Sequence, residues 1–184
     1  MMMLIPGFVL LIVLGLSAPA VGAETSGDSC MKRVFIHYCL GGSLNRLQQQ
    51  RPVKMQPIVS GERSGVIYRT GRDKVYVMAF QDRIYKVLQS YDSPSQVALQ
   101  RLLRRLGNKY GKPQDLGHFP NSMRNLTAKI GAVRRGEGEL IYRWQPPGSA
   151  WRVELSWTRK LGISLAYLAN ALDRQQREAA ETGL

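Results

Sequence analysis

The sequence predicts an α+β protein with two antiparallel β-meanders, each followed by a helix, and with the first of these helices packed on the sheet. Two stretches, residues 57–91 and 140–167, carry β-prone residues interrupted by short turns. Between them, residues 93–110 show the apolar spacing of an amphipathic helix. At 184 residues the chain is long enough for one domain with a proper core and too short for two ordinary domains.

Residues 1–23, MMMLIPGFVLLIVLGLSAPAVGA, predict a cleaved signal peptide. They contain no charged side chain. An apolar run covers residues 4–16, and both Ala18-Pro19-Ala20 and Val21-Gly22-Ala23 offer small residues at the two recognition positions of a signal peptidase, with cleavage expected near Ala23. We therefore expect an exported protein, either periplasmic or secreted. Because no Lys or Arg precedes the apolar run, an uncleaved membrane anchor is the alternative.

Residues 24–56 are predicted to form an N-terminal segment ahead of a single α+β domain at residues 57–184. The chain has two cysteines, Cys30 and Cys39, and in an oxidising compartment such a pair predicts a disulfide. Closing so short a loop would stabilise the fold by about 2–3 kcal/mol. The run VFIHY at residues 34–38 predicts a short strand, and Ser43 is expected to cap a short helix that Pro52 ends.

The two meanders are predicted from different patterns. The first has β-prone runs at residues 65–70, 74–80 and 84–91, and its middle run, KVYVMAF, is almost continuously apolar, which indicates a central strand. The second has runs at residues 140–144, 151–158 and 163–167 that alternate apolar and polar residues, as in a sheet with one buried face. Trp144, Trp151 and Trp157 follow this alternation, so core packing is favoured over a stacking or sugar-binding platform.

The helix between the meanders has the clearest start and stop signals. Ser93 is predicted as its N-cap, with Pro94 in the first helical position and Gln96 completing a capping box. Gly111 and Pro113 predict its end. Its apolar stripe comprises Leu99, Leu102, Leu103, Leu106 and Tyr110. Shorter helices are expected at residues 122–133 and 168–180, and the thin apolar face of the second predicts a position at the surface.

A formal net charge of +13 is the unusual feature of the composition. The basic residues are spread from Lys32 to Arg177 rather than gathered in a tail, which predicts attraction to an acidic protein or to an anionic envelope polymer or lipid. Export makes nucleic acid an unfavoured partner. The candidate binding residues lie on or beside the basic face of the helix at residues 93–110, and they are Arg101, Arg104, Arg105, Lys109 and Lys112. A merely solvated helix face is the alternative interpretation.

The sequence offers little catalytic chemistry. Cys39 could form a thiol–imidazole pair with His37 or His118, but a nucleophilic cysteine needs a free thiol and the disulfide is favoured. No zinc-ligand spacing and no phosphate-binding glycine loop is present, so no cofactor is predicted.

Paired carboxylates are a further catalytic possibility. A small cell-envelope hydrolase acting on cell-wall polymer would need Glu139, Glu154, Asp115 or His118 to converge in one cleft. Cross-strand pairing of the two glutamates with Arg143 or Arg152 is the more ordinary expectation.

These observations favour an exported, non-enzymatic binding protein that docks an anionic or acidic partner through a basic surface. An inhibitor of an acidic enzyme and an envelope assembly factor both fit this description. The hydrolase is the alternative from another functional class.

Overall fold

A computed structural model describes residues 30–53, 57–120, 123 and 125–182. The predicted signal peptide at residues 1–23 lies outside the described residues. Within the described ranges, no helix is both long enough and apolar enough to cross a membrane.

The chain forms helices on antiparallel sheets, which confirms the predicted α+β class. The elements in chain order are β1 Lys32–Val34, β2 Tyr38–Leu40, α1 Leu44–Gln50, β3 Ile58–Ser60, β4 Arg63–Thr70, β5 Asp73–Phe80, β6 Arg83–Ser90, α2 Gln96–Tyr110, β7 Gln114–Asp115, α3 Leu126–Arg135, β8 Leu140–Trp144, β9 Trp151–Thr158, β10 Gly162–Ala169 and α4 Asn170–Thr182. Strands β1 and β2 form a hairpin, and the other eight strands form one sheet.

The eight-stranded sheet has the order β3-β4-β5-β6-β10-β9-β8-β7. The two meanders therefore meet through their last strands, and β6 pairs with β10 from Ser90 opposite Ser164 to Lys86 opposite Leu168. Each half runs from a short edge strand to a long central one. The second half consequently mirrors the strand order of the first, although the two halves share no repeat at the level of residues.

One face of the sheet is covered by helices. Leu99 and Leu106 of α2 are buried against Trp144 and Trp157 of the second meander, as the apolar stripe predicts. The predicted N-cap is wrong by two residues. Ser95, not Ser93, caps α2 through its hydroxyl, which accepts a hydrogen bond of 3.1 Å from the Ala98 amide. The predicted end of the helix is confirmed, because Gly111 is its C-cap and adopts a positive φ of 83°.

The predicted strand at residues 34–38 is wrong, because this run contains the turn of the β1–β2 hairpin. Phe35 and Ile36 adopt positive φ angles of 45° and 69°. Phe35 packs edge-on against Tyr167 with ring centroids 5.6 Å apart, so a tertiary contact overrides the local β-propensity. The predicted disulfide between Cys30 and Cys39 is present and joins β2 to the residues preceding β1.

Helices α1 and α3 complete the covered face. Ser43 caps α1 as predicted, and Leu44 and Leu47 share a core with the first meander. The cap of α3 is Asn125, whose side chain accepts a 2.8 Å hydrogen bond from the Ala128 amide. This helix reaches Arg135, two residues beyond the predicted end.

Helix α4 lies on the opposite face, where it contacts β6 and β10. It begins at Asn170 rather than at residue 168, because Leu168 and Ala169 belong to β10. It lies at the surface, as its thin apolar face predicts. Asp173 is buried and bonds to Arg152 of β9, so a charged side chain supplies the anchor that a thin apolar face does not.

Candidate docking surface on helix α2

The five predicted cations all lie at the protein surface. Arg101, Arg104, Arg105 and Lys109 belong to α2 and are exposed, and Lys112 is exposed two residues after the helix ends. Positions three and four apart are neighbours on a helix surface, so these side chains form a continuous row. The row lies on the solvent side of α2 because Leu99 and Leu106 turn towards the sheet. We call these five residues the α2 basic surface.

No ion pair holds any residue of the α2 basic surface within the described part of the chain. Several carboxylates elsewhere form ion pairs with other cations. Asp115 lies 3.7 Å from Lys129, and Glu154 lies 2.9 Å from both Arg143 and Arg152. The α2 basic surface therefore presents positive charge that the protein's own described carboxylates do not neutralise.

The hairpin extends this surface beyond the C-terminal end of α2. Lys32 of β1 places its Nζ 4.9 Å from the centre of the Trp151 ring, and Trp151 packs edge-on against Tyr110 at 5.9 Å. Lys109 lies over the same Tyr110 ring at 5.2 Å. A cation above an aromatic face is favourable, so these contacts link the hairpin to the helix. Sequence reasoning missed Lys32 because the contact joins residues far apart in the chain.

The residues of the alternative hydrolase do not all converge. His118 and Glu139 are paired through their backbones, each amide donating to the other residue's carbonyl at 3.0 Å. Asp115 lies nearby in β7, opposite Tyr142. Glu154 instead lies opposite Arg143, towards the other end of β8. It forms ion pairs with both arginines, as expected for a cross-strand charge pair.

The thiol–imidazole possibility does not match the structure, since the sulfur of Cys39 is bonded to that of Cys30. Among the described residues, no group of three or more His, Cys, Asp or Glu side chains is arranged to hold a metal ion.

Comparisons with known proteins give a distant similarity of fold. No protein-family model matches the chain, and no curated protein matches it either. A solved structure with some similarity is that of a cysteine-rich secretory protein from Staphylococcus aureus, with 7% sequence identity and a TM-score of 0.45. The match covers 79% of this chain and 48% of the other protein, so the chain corresponds to less than half of that protein's length. We draw nothing about function from this similarity.

Proposed function

We propose that this chain is an exported binding protein that docks an acidic protein or an anionic envelope component through the α2 basic surface. The observation that carries the proposal is the row of exposed cations without carboxylate partners in the described chain. Such a row raises the local concentration of anionic partners and accelerates their association. Charge patterns of this kind contribute orientation and rate of encounter more than affinity.

Rigidity of the underlying helix supports this role. Both ends of α2 are capped, by Ser95 and by Gly111, and its apolar stripe packs into the core that it shares with the second meander. Binding to a preorganised row of cations costs less conformational entropy than ordering a flexible tail. The disulfide supports the exported location, because disulfides persist mainly in oxidising compartments.

The test compares two variants that lose the same number of charges. In one variant, Arg101, Arg104 and Arg105 are each replaced by Gln. In the control, Arg69, Arg72 and Lys74 are replaced by Gln; these three are exposed near the β4–β5 turn and form no ion pair in the described chain. Retention is measured on immobilised heparin and on vesicles with anionic lipid, over a series of salt concentrations.

We expect the α2 variant to elute at clearly lower salt than the wild type and the control to elute close to the wild type. Salt sensitivity itself is expected, since exposed charges are screened over about 8 Å at physiological ionic strength. Equal losses in both variants would show that only net charge matters and would refute the surface. Loss of wild-type retention at physiological salt would refute the electrostatic docking altogether.

The identity of the partner distinguishes an inhibitor from an envelope assembly factor. An inhibitor would bind one acidic protein stoichiometrically, whereas an assembly factor would be recovered with several envelope components. Affinity capture from envelope extract with the wild type and the α2 variant side by side reports which components depend on the α2 basic surface.

A further inference from the structure

The face of the sheet opposite α2 contains an apolar slot at its β3 end. Side chains alternate along a strand, so Gly65 lies on this face of β4, between Arg63 and Ile67. Gly65 has no side chain and pairs with Met78 of β5, which leaves a gap in the surface. The slot has a volume of about 240 Å³. Its apolar walls are Ile58, Ile67, Tyr76, Met78 and Tyr85.

The dimensions of the slot favour an anchor side chain over a whole small molecule. Its volume lies below the range of about 300–1,000 Å³ typical of ligand pockets, and it opens to solvent at the edge of the sheet. Ile58, at the rim, is 66% exposed, and its neighbour Val59 is 68% exposed. The two side chains point to opposite faces of β3, and Ile58 is the one on the slot face, where its apolar surface is open to contact with another polypeptide.

The charged residue that lines the slot is positive. Arg63 is the charged residue among its described lining, is exposed, and forms no ion pair within the described chain. Lys86 lies directly across from Met78 in the strand register and therefore on the same face. None of the described lining residues carries a carboxylate. Acidic residues beside the anchor would complement these cations.

The sheet edge beside the slot could also receive an extended chain. Strand β3 is the first strand of the sheet order and, among the described strands, pairs only with β4. Extended peptides bind such edges by main-chain hydrogen bonds, while pockets take alternate side chains. The slot and the open edge are adjacent because Ile58 pairs with Gly65.

We propose that this slot binds a bulky apolar side chain from an extended, acidic segment of a partner protein, with Arg63 and Lys86 facing the flanking carboxylates. This surface lies on the opposite face of the sheet from the α2 basic surface, so the proposal does not depend on the function assigned to α2.

The test uses the peptide acetyl-Asp-Glu-Phe-Glu-Asp-amide as the probe and the methyl group of Met78 as the reporter. The protein carries ¹³C at its methionine methyl groups, and Met78→Leu assigns the signal. Two control peptides replace Phe by Ala, or replace the acidic residues by Lys. Titration into the millimolar range covers the weak affinity expected of a short peptide. We expect a saturable shift of the Met78 signal with the acidic Phe peptide alone.

Two kinds of variant test the apolar slot and its positive charge separately. Gly65→Leu fills the slot, and its Cβ would meet Val77 O at 3.4 Å and Met78 Cγ at 3.9 Å, which are ordinary contacts. It should weaken binding at least about tenfold. Arg63→Gln should weaken binding several-fold. Arg69→Gln removes an exposed arginine from the same strand and face but from outside the slot, and should bind as the wild type does.

Several outcomes would overturn the proposal. These are an unchanged affinity in Gly65→Leu, equal effects of the two arginine variants, or no Met78 shift at millimolar peptide. A shift produced by monomeric decanoate but not by the acidic peptide would assign the slot to a lipid and would also overturn it. If Gly65→Leu fails to fold, the comparison of Arg63→Gln with Arg69→Gln still tests the proposal. Replacing Arg101, Arg104 and Arg105 by Gln should leave the Met78 shift unchanged, which distinguishes failure here from failure of the α2 basic surface.

Discussion

Arg152 of β9 and Asp173 of α4 form a buried ion pair, in which the arginine Nη2 donates a 2.6 Å hydrogen bond to Asp173 Oδ2. Arg152 also donates to Glu154 at 2.9 Å and to Asn170 at 3.2 Å. Burial lowers the pKa of Arg152, but its hydrogen bonds to Asp173 and Glu154 raise the pKa by more, so the guanidinium stays charged. A charge network thus fixes the start of α4 to the sheet.

Replacing Asp173 by Ala should destabilise the protein strongly. Removal of Asp173 leaves the buried Arg152 with Glu154, which Arg143 shares, as its remaining described carboxylate partner. Loss of one partner of a buried ion pair typically costs about 3–5 kcal/mol of the free energy of unfolding. The measurement is urea-induced unfolding followed by circular dichroism. Glu178→Ala is the matched control on the same helix, since its contact with Arg174 is long at 3.9 Å and exposed. Such a pair contributes about 0.5 kcal/mol at most. Similar losses in the two variants would contradict the anchoring role of Asp173.

Two Gly→Ala substitutions should have opposite effects. A Cβ at Gly138 would lie 2.5 Å from the His118 carbonyl oxygen and 2.6 Å from Phe119 Cδ1, so the backbone pairing of His118 with Glu139 must shift. Such overpacking typically costs about 1–3 kcal/mol. In contrast, a Cβ at Gly107 in α2 meets nothing within 4 Å, and alanine stabilises a helix interior by roughly 0.5–1 kcal/mol. Midpoints of thermal unfolding for both variants check the signs, and a stable Gly138→Ala protein would refute the close approach.

Ile36→Asn should stabilise the hairpin although it removes a large apolar side chain. Ile36 is 77% exposed, so little buried surface is lost, and its φ of 69° is unfavourable for a β-branched residue. Asparagine tolerates this conformation, and a gain of about 1 kcal/mol is expected. The control is Val59→Asn, because Val59 is similarly exposed but does not adopt a positive φ. A loss of stability in Ile36→Asn equal to that in the control would argue against strain at the turn.

Stability should fall as the pH rises above 10.0. Burial raises the tyrosine pKa above the ordinary value of 10.0 for Tyr38, Tyr68, Tyr85, Tyr91 and Tyr142. The unfolded chain therefore loses these protons first. The stabilisation is complete below pH 10.0 and is lost as the pH rises through the folded-state values. Urea midpoints on both sides of pH 10.0, with tyrosinate absorbance as a second reading, test this. Simultaneous ionisation of all tyrosines near pH 10.0 without a change in stability would contradict it.

The periodic parts of the fold could be predicted because their signals are local. The alternation of the second meander and the stripe of α2 depend on residues within each element, and the structure keeps both. The start of α2 was misplaced because Ser93 and Ser95 are equally good caps in isolation. Tertiary contact decides between them: Pro94 lies before the cap, where its ring approaches Gly162, the first residue of β10.

The α2 basic surface was predictable for the same reason as the helix, since its residues follow from helical spacing. The contribution of Lys32 and the anchor between Arg152 and Asp173 were not, because each joins distant segments whose alignment only the sheet order defines. The slot at Gly65 could not be predicted from the sequence for a further reason. It is formed by the absence of a side chain, and a single glycine in a strand does not reveal which face it opens.

The mirrored strand order has a consequence for how the chain is made. Strand β6 completes the first meander, and Arg83 and Ile84 pair with residues 41–43. Residues 86–90 of its outer edge stay unpaired until Ser164 and the rest of β10 have been synthesised and brought to them. The emerging first half therefore carries an open, largely apolar strand edge, which can pair with other chains. If the protein is exported as proposed, a chaperone that shields this edge would matter more before translocation than after it.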